Sequence, residues 1–241
     1  VKIFCNLTIA IKIQGVSFWI DQWLPFLFDS NQWIKTPRGI KILNPYREQA
    51  VRDVCDIFYS KYYHDDQRRT PIFGINPGRL GAGITGIGFT DPQKLEMYCG
   101  ISNDFPKKEE LSSKFVYEWI IRNGAIEDFY KQFIILSVCP LGFVSDGKNI
   151  NYYDQVSLTK NSEKLIVMQQ NLIQSAVDGE VAYTLGKGQN FKYFEKLNNQ
   201  HKWFKHVIPL PHPRWVLQYR YHSRYELMDN MSLILKQVRN E

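Results

Sequence analysis

The sequence holds no Cys-x-x-Cys pair, no Gly-x-Ser-x-Gly elbow, no Gly-Lys-Ser/Thr, no internal repeat and no low-complexity tract. Its cysteines stand singly at 5, 55, 99 and 139, too widely and evenly spaced for a zinc ribbon or an iron–sulfur cluster. A chain of 241 residues can build its own hydrophobic core, so a disulfide scaffold is not expected and the thiols read as buried and reduced. The missing elbow argues against a serine nucleophile, and the missing Gly-Lys-Ser/Thr excludes a P-loop. Long uncharged runs are lacking too. Ile3–Ile13 and Val16–Phe28 are apolar, but Lys2, Lys12 and Asp21 keep them below the roughly 18 residues of a spanning helix. With neither a clearly basic start nor a small-residue cleavage site, no signal peptide is expected. Residues 1–36 read as an apolar lead-in and 37–241 as one domain, in a cytoplasmic protein with no membrane association.

What the chain has in excess is aromatic and basic. Fifteen Phe, 14 Tyr and 6 Trp make up 15% of it, and 30 basic residues against 24 acidic give a formal charge of +6. That sign permits a polyanionic partner without establishing one. The basic excess is concentrated late. No acidic residue occurs between Glu195 and Glu226, where Lys196, Lys202, Lys205, Arg214, Arg220 and Arg224 lie among Trp203, Phe204, Trp215, Tyr219, Tyr221 and Tyr225. Cations neutralise phosphates, and interleaved aromatics can stack on bases. A cationic face over core aromatics would read the same way.

From residue 44 the apolar pattern becomes regular. Asn44-Pro45 opens a helix through Ala50, Val51, Val54, Phe58 and Tyr62, and the charged turn His64 to Arg69 ends it. Pro71 to Ile75 reads as a buried strand, followed by a glycine-rich loop to Phe89. Asp91-Pro92 starts a helix that Gly100 closes, 111–123 is amphipathic, and Phe133 to Val138 is a second strand. Helix 161–177, strand 180–185, helix 190–199, strand 206–210 and helix 222–239 continue the alternation. Four strand–helix alternations predict an α/β fold with a parallel sheet covered on both faces. Ligands of such sheets bind at the carboxyl ends of the strands. Asn76, Ser137 and His212 all fall there.

The loop from Gly74 to Phe89 contains Gly81-Ala-Gly83-Ile-Thr-Gly86, a literal GxGxxG. In a dinucleotide fold the first glycine sits at the strand end and a helix opens at once. Here Pro77 and other residues intervene, and the loop reads as running to Phe89 without a helix. A cofactor-dependent oxidoreductase is therefore a weaker reading of it. The histidines at 201, 206, 212 and 222 match no metal spacing, so neither metal nor cofactor is expected. His212 stands apart because Pro211 and Pro213 clamp it in what reads as an extended loop.

Three motifs occur in order: Gly74-Ile-Asn-Pro-Gly78 continuing through Thr85-Gly86 to Phe89, then Cys139-Pro-Leu141, then Pro211-His-Pro-Arg214. Together they resemble the uracil-DNA glycosylase superfamily, in the shorter bacterial form of its single-strand-selective monofunctional branch. The resemblance runs from about Gly39 onward. It implies a three-layer α/β/α fold with a four-stranded, mostly parallel sheet, and a monomer that excises uracil from DNA without cleaving the strand, in nucleoid-associated base excision repair. By resemblance, Asn76 holds the attacking water and His212 bonds the uracil O2. The Ile75 amide faces the base, Phe89 stacks on it, and Gly74, Gly78 and Ser137 complete the substrate site. Arg79, Arg214, Trp215 and Leu217 are then expected to meet DNA. The chain departs from the family twice. Ser137 stands where an asparagine usually reads the Watson–Crick edge, and the wedge after His212 is shortened to Pro213 to Leu217. A reduced edge-reading group implies slower uracil release and some activity on deaminated purines such as xanthine. The rival reading is a catalytically inert single-strand binder on the same fold.

Overall fold

The protein's structure, a computed structural model, describes residues 17–29 and 34–237. Along the chain, a π-helical turn (Trp19–Trp23) runs into α1 (Leu24–Asp29). β1 (Lys41–Leu43) and a 3-10 turn (Pro45–Arg47) precede α2 (Gln49–Tyr62) and β2 (Thr70–Gly74). Four helices follow: α3 (Ala82–Thr85), α4 (Pro92–Met97), α5 (Leu111–Arg122) and α6 (Ile126–Gln132), the last leading into β3 (Phe133–Ser137). A hairpin of β4 (Gly142–Ser145) and β5 (Lys148–Ile150) comes next, then α7 (Val156–Ile173), β6 (Val181–Leu185), α8 (Gln189–His201) and β7 (His206–Leu210). The chain closes with α9 (Pro213–Tyr219), a 3-10 turn (Tyr221–Ser223) and α10 (Arg224–Gln237).

The sheet order is β3-β2-β6-β7, and every pairing is parallel. Its inner strands are apolar on both faces because helices cover both, giving a three-layer α/β/α architecture. Register sets the strand ends: Gly74 lies opposite Ser137, and Leu185 opposite Leu210. Phe73, fully buried in β2, packs 4.9 Å from Phe194 and 6.0 Å from Phe204, ring centre to ring centre. Trp119 Nε1 donates to Ser232 Oγ at 2.9 Å and ties α5 to α10. Among the described residues, Cys55, Cys99 and Cys139 are buried free thiols, and no helix is long and apolar enough to cross a membrane. Cys5 and most of the apolar lead-in lie outside the described residues. The described helical part of the lead-in buries Trp19, Trp23, Leu24 and Leu27, and Trp23 Nε1 donates to Tyr59 of α2 at 3.0 Å.

Several sequence expectations need correction. The glycine loop does open a helix, the single turn α3, closed by Gly86 in the left-handed region at φ 76°. Asn44 caps the 3-10 turn, accepting from Tyr46 N, and α2 starts only after it. α7 begins at Val156, five residues before the expected start, because fully buried Leu158 anchors a first turn whose other side chains are polar or exposed. The run from Pro213 is not a loop. Pro213 sits where helix α9 begins, a position that needs no free N–H, and His212 is its cap. β1, β4 and β5 form a second, antiparallel sheet that apolar periodicity does not reveal.

Candidate active site

The carboxyl ends of β2, β3, β6 and β7 converge on one edge of the sheet. β2 delivers the glycine motif. The Gly74 carbonyl accepts from Val138 N at 3.0 Å and from Asn190 Nδ2 at 3.3 Å, and the Ile75 carbonyl accepts from Cys139 N at 3.1 Å. These bonds carry the strand pairing past its formal end and hold the motif in place.

Asn76 is fixed by the hairpin. Its Nδ2 donates to the Ile150 carbonyl at 3.3 Å, and its Oδ1 accepts from Tyr152 N at 3.1 Å. A carbonyl can only accept and a backbone amide only donate, so the amide has one orientation. One N–H and one lone pair remain unused, enough to hold a water from two sides. Tyr152, fully buried, donates from its hydroxyl to Asn190 Oδ1 at 2.9 Å, and Asn190 returns to Gly74. Asn149 Oδ1 accepts from Arg79 N at 3.1 Å, which anchors the turn beyond Gly78. Arg79 itself is exposed.

Phe89 is half-buried, and its ring lies directly on Gly74, where any Cβ would overlap it. That contact explains the glycine. Phe89 takes a left-handed backbone, φ 51°, uncommon for a bulky residue. Thr85 imposes it, donating to the Thr90 carbonyl at 2.6 Å while accepting from Ile87 N at 3.2 Å.

His212 caps α9: its Nδ1 accepts from Arg214 N at 3.2 Å. An accepting Nδ1 carries no proton, so the neutral ring holds its proton on Nε2. Burial, then the neighbouring Arg214 guanidinium, push its pKa down to about 4. The ring packs on Gly186, whose φ is +115° and where an added Cβ would lie 3.3 Å from His212 Cδ2. A cleft of about 480 Å³ opens here, lined by Ile75, Tyr153, Gly186, Asn190, His212 and Trp215 among others.

The remaining expected residues are distributed unevenly. Ser137, half-buried, lines a separate cavity of about 20 Å³ with Pro77, Gly88, Pro140 and Gln169. Gln169, fully buried, donates to the Ser137 carbonyl at 2.8 Å. Trp215 projects into solvent with Arg220 5.3 Å from its ring centre, whereas Leu217 is half-buried against the core. Arg214 is exposed on the first turn of α9, which packs on α5.

Glu110, which no sequence motif marks, caps α5 and lays its carboxyl in the glycine loop. An added Cβ at Gly81 would overlap it, and one at Gly78 would lie 3.0 Å from its Oε1. Burial first, then the Asp91 carboxylate, raise its pKa to about 7, with Arg214 pulling the other way. Among the described residues, no three His, Cys, Asp or Glu side chains gather as a metal site needs.

Comparison with known proteins agrees with this fold. Residues 61–236 match the family model described as the uracil DNA glycosylase superfamily. Among curated proteins no match is found. The chain is similar to a solved structure, the crystal structure of wild-type SMUG2 from Pedobacter heparinus, with 38% identity and a TM-score of 0.88. That likeness covers 94% of this chain and all of the other. The motif loop from Gly74, the four-stranded parallel sheet and the match across most of the sequence lead to one placement: the chain belongs to the uracil DNA glycosylase superfamily.

Proposed function

We propose that the protein is a monofunctional DNA glycosylase that hydrolyses the N-glycosidic bond of uracil in DNA. The observation that carries this reading is the pairing of an oriented Asn76 amide with a neutral His212 whose Nε2 holds a proton, both at the carboxyl edge of the sheet. As the bond from C1′ to the base breaks, its electrons move onto uracil and the sugar becomes cationic. The water held by Asn76 adds to C1′ and loses a proton to solvent. An amide is too weak a base to take that proton, so base departure leads and water follows. His212 Nε2–H donates to the O2 where negative charge accumulates, a contact worth roughly 2.7–4 kcal/mol in comparable sites. No covalent enzyme intermediate forms, so the product is an abasic site with an intact strand.

Phe89 supplies a face on which the flipped base stacks, the Ile75 amide faces its edge, and Gly74 and Gly78 let the backbone come close. Arg79 and Arg214 meet phosphates, and Trp215 rather than the half-buried Leu217 reaches toward the space left by the flipped base. Ser137, in the asparagine's position, lines a small cavity separate from the His212 cleft, so no side-chain amide reads the base edge and the site discriminates less. The substrate range therefore extends to deaminated purines such as xanthine, and single strands or mismatches are favoured because extruding an unpaired base costs least. The enzyme works as a monomer on cytoplasmic, nucleoid-associated DNA.

The test is incubation with oligonucleotides carrying one uracil or one xanthine, then alkali. A break at the lesion is expected for both, faster in single strand than in a matched duplex. Asn76→Ala and His212→Ala should each lose on the order of 100-fold or more in single-turnover rate while still binding DNA. Tight binding with no breakage by wild-type protein would turn the reading into that of an inert single-strand binder.

A further inference from the structure

Every exposed aromatic among the described residues lies in one short stretch. Trp215 is 42% exposed, Tyr219 66%, Tyr221 49% and Tyr225 45%, all on α9, the 3-10 turn and the start of α10. Large apolar side chains scattered singly on a surface need no explanation, but four aromatics within eleven residues form a patch. Core packing does not account for it, since these rings face solvent.

Their arrangement is specific. The Arg224 guanidinium lies 4.0 Å from the ring centre of Tyr221 and 4.1 Å from that of Tyr225, and Arg122 lies 5.1 Å from Tyr225. The Arg224 Nη2 also donates to the Tyr225 hydroxyl at 2.8 Å. The Tyr221 and Tyr225 rings are thus braced, which lowers the entropy lost when a ligand stacks on them, whereas Tyr219 stands more freely in solvent. Two of the nearby acids are engaged, Asp229 with Arg122 at 2.6 Å and Glu118 at 3.8 Å from Arg224 Nε, which leaves Glu226 as the exposed carboxylate beside the patch. Arg214 and Arg220 make no ion pair among the described residues, and the sequence around them is free of acid from 196 to 225. One end of the patch, Trp215, is also a wall of the active-site cleft.

Resting on the glycosylase reading, the geometry points to Tyr219, Tyr221 and Tyr225 as a stacking track for the unpaired bases that flank the target nucleotide in single-stranded DNA. The occupant is a polyanion with exposed aromatic faces, which suits π-surfaces set among guanidinium groups. A duplex hides its base faces and gains nothing from these rings.

The measurement is fluorescence anisotropy with a uracil-free single strand of about 20 nucleotides, longer than the site size typical of such grooves. Because no uracil is present, the result stands whether or not the protein releases the base. The triple variant Tyr219→Ala, Tyr221→Ala, Tyr225→Ala should bind on the order of tenfold or more weakly, with an unchanged salt slope, since stacking and not charge is lost. The corresponding triple Phe variant keeps the rings and should bind like wild type; it also separates stacking from misfolding, which thermal melting of both variants checks. Affinity for a matched duplex should be the same in all three proteins. Equal single-strand affinity of the Ala variant and wild type, or a Phe variant as weak as the Ala variant, overturns the track.

Discussion

At the residue scale, two ionisable side chains, His212 in the cleft and Glu110 in the glycine loop, are displaced in opposite directions, and each has a pH consequence. His212, held low at about 4 by burial and then by Arg214, is neutral throughout the neutral range, so the activity profile should lack an inflection at the ordinary histidine value of 6.5. Glu110 is displaced upward, from an ordinary 4.5 to about 7. Its folded state therefore holds the proton more tightly than the unfolded chain does. Stability should fall as pH rises through that window and stay lowered above it. Glu110→Gln, neutral at every pH, should match wild type at about pH 4 and exceed it at about pH 8 by on the order of 1–3 kcal/mol after solvent screening. Above 7 the carboxylate also competes with phosphate for Arg214, so the variant should bind DNA more tightly there. Thermal melts and DNA titrations at the two pH values check both statements; a constant difference in melting temperature would contradict the first. Asn76 and His212 are legible in the sequence because each stands beside proline at a strand end. Glu110 is not. Its carboxyl meets Gly78 and Gly81 only because α5 returns to the loop about thirty residues later, and no local pattern records that return.

At the element scale, the four sheet strands are legible because each is a short apolar run bounded by breakers, and the structure places all four within a residue or two of the expected spans. The β4–β5 hairpin is harder to see by periodicity, since Lys148 and Asn149 make β5 exposed and polar. Its signal is the turn. Asp146 and Gly147 both take positive φ, 48° and 71°, the conformation that favours an Asp-Gly pair in a two-residue hairpin. α9 escapes notice for a related reason. Pro213 reads as a helix breaker, although proline at the first helical position with an accepting side chain before it is a start signal. The hairpin is the element on which Asn76 depends, through Ile150 and Tyr152. Gly147→Val should strain the turn by about 1–3 kcal/mol and loosen both anchors. We expect the single-turnover rate to fall about tenfold or more with a smaller loss of single-strand affinity, because the hairpin reaches the proposed phosphate contacts only through Asn149 on Arg79 N, and Arg214 on α9 does not depend on it. A loss of affinity without a loss of rate would show that the hairpin serves binding and not the amide.

At the scale of the whole molecule, the parallel sheet gives the protein two unlike edges. The carboxyl edge gathers the glycine motif, His212, Arg79 and Arg214. The amino edge is where α6 leads into β3 and where Arg69, fully buried, donates to the Tyr130 carbonyl at 3.0 Å. A formal charge of +6 alone would attract DNA to any basic patch. The fold predicts something narrower: cations at the carboxyl edge release counterions when DNA docks, and cations at the amino edge do not. For single strands each neutralised phosphate contributes about 0.7 to the slope of log affinity against log salt. Arg79→Gln and Arg214→Gln should therefore each flatten the slope by about that amount. Lys131→Gln, on α6 and 3.1 Å from Asp128, should leave it unchanged. Since the three substitutions remove one positive charge apiece, net charge cannot distinguish them, and only position can. Equal flattening by all three, read from titrations between low and moderate salt, would mean that the strand is held by the diffuse field of the molecule and not by the edge that carries Asn76 and His212.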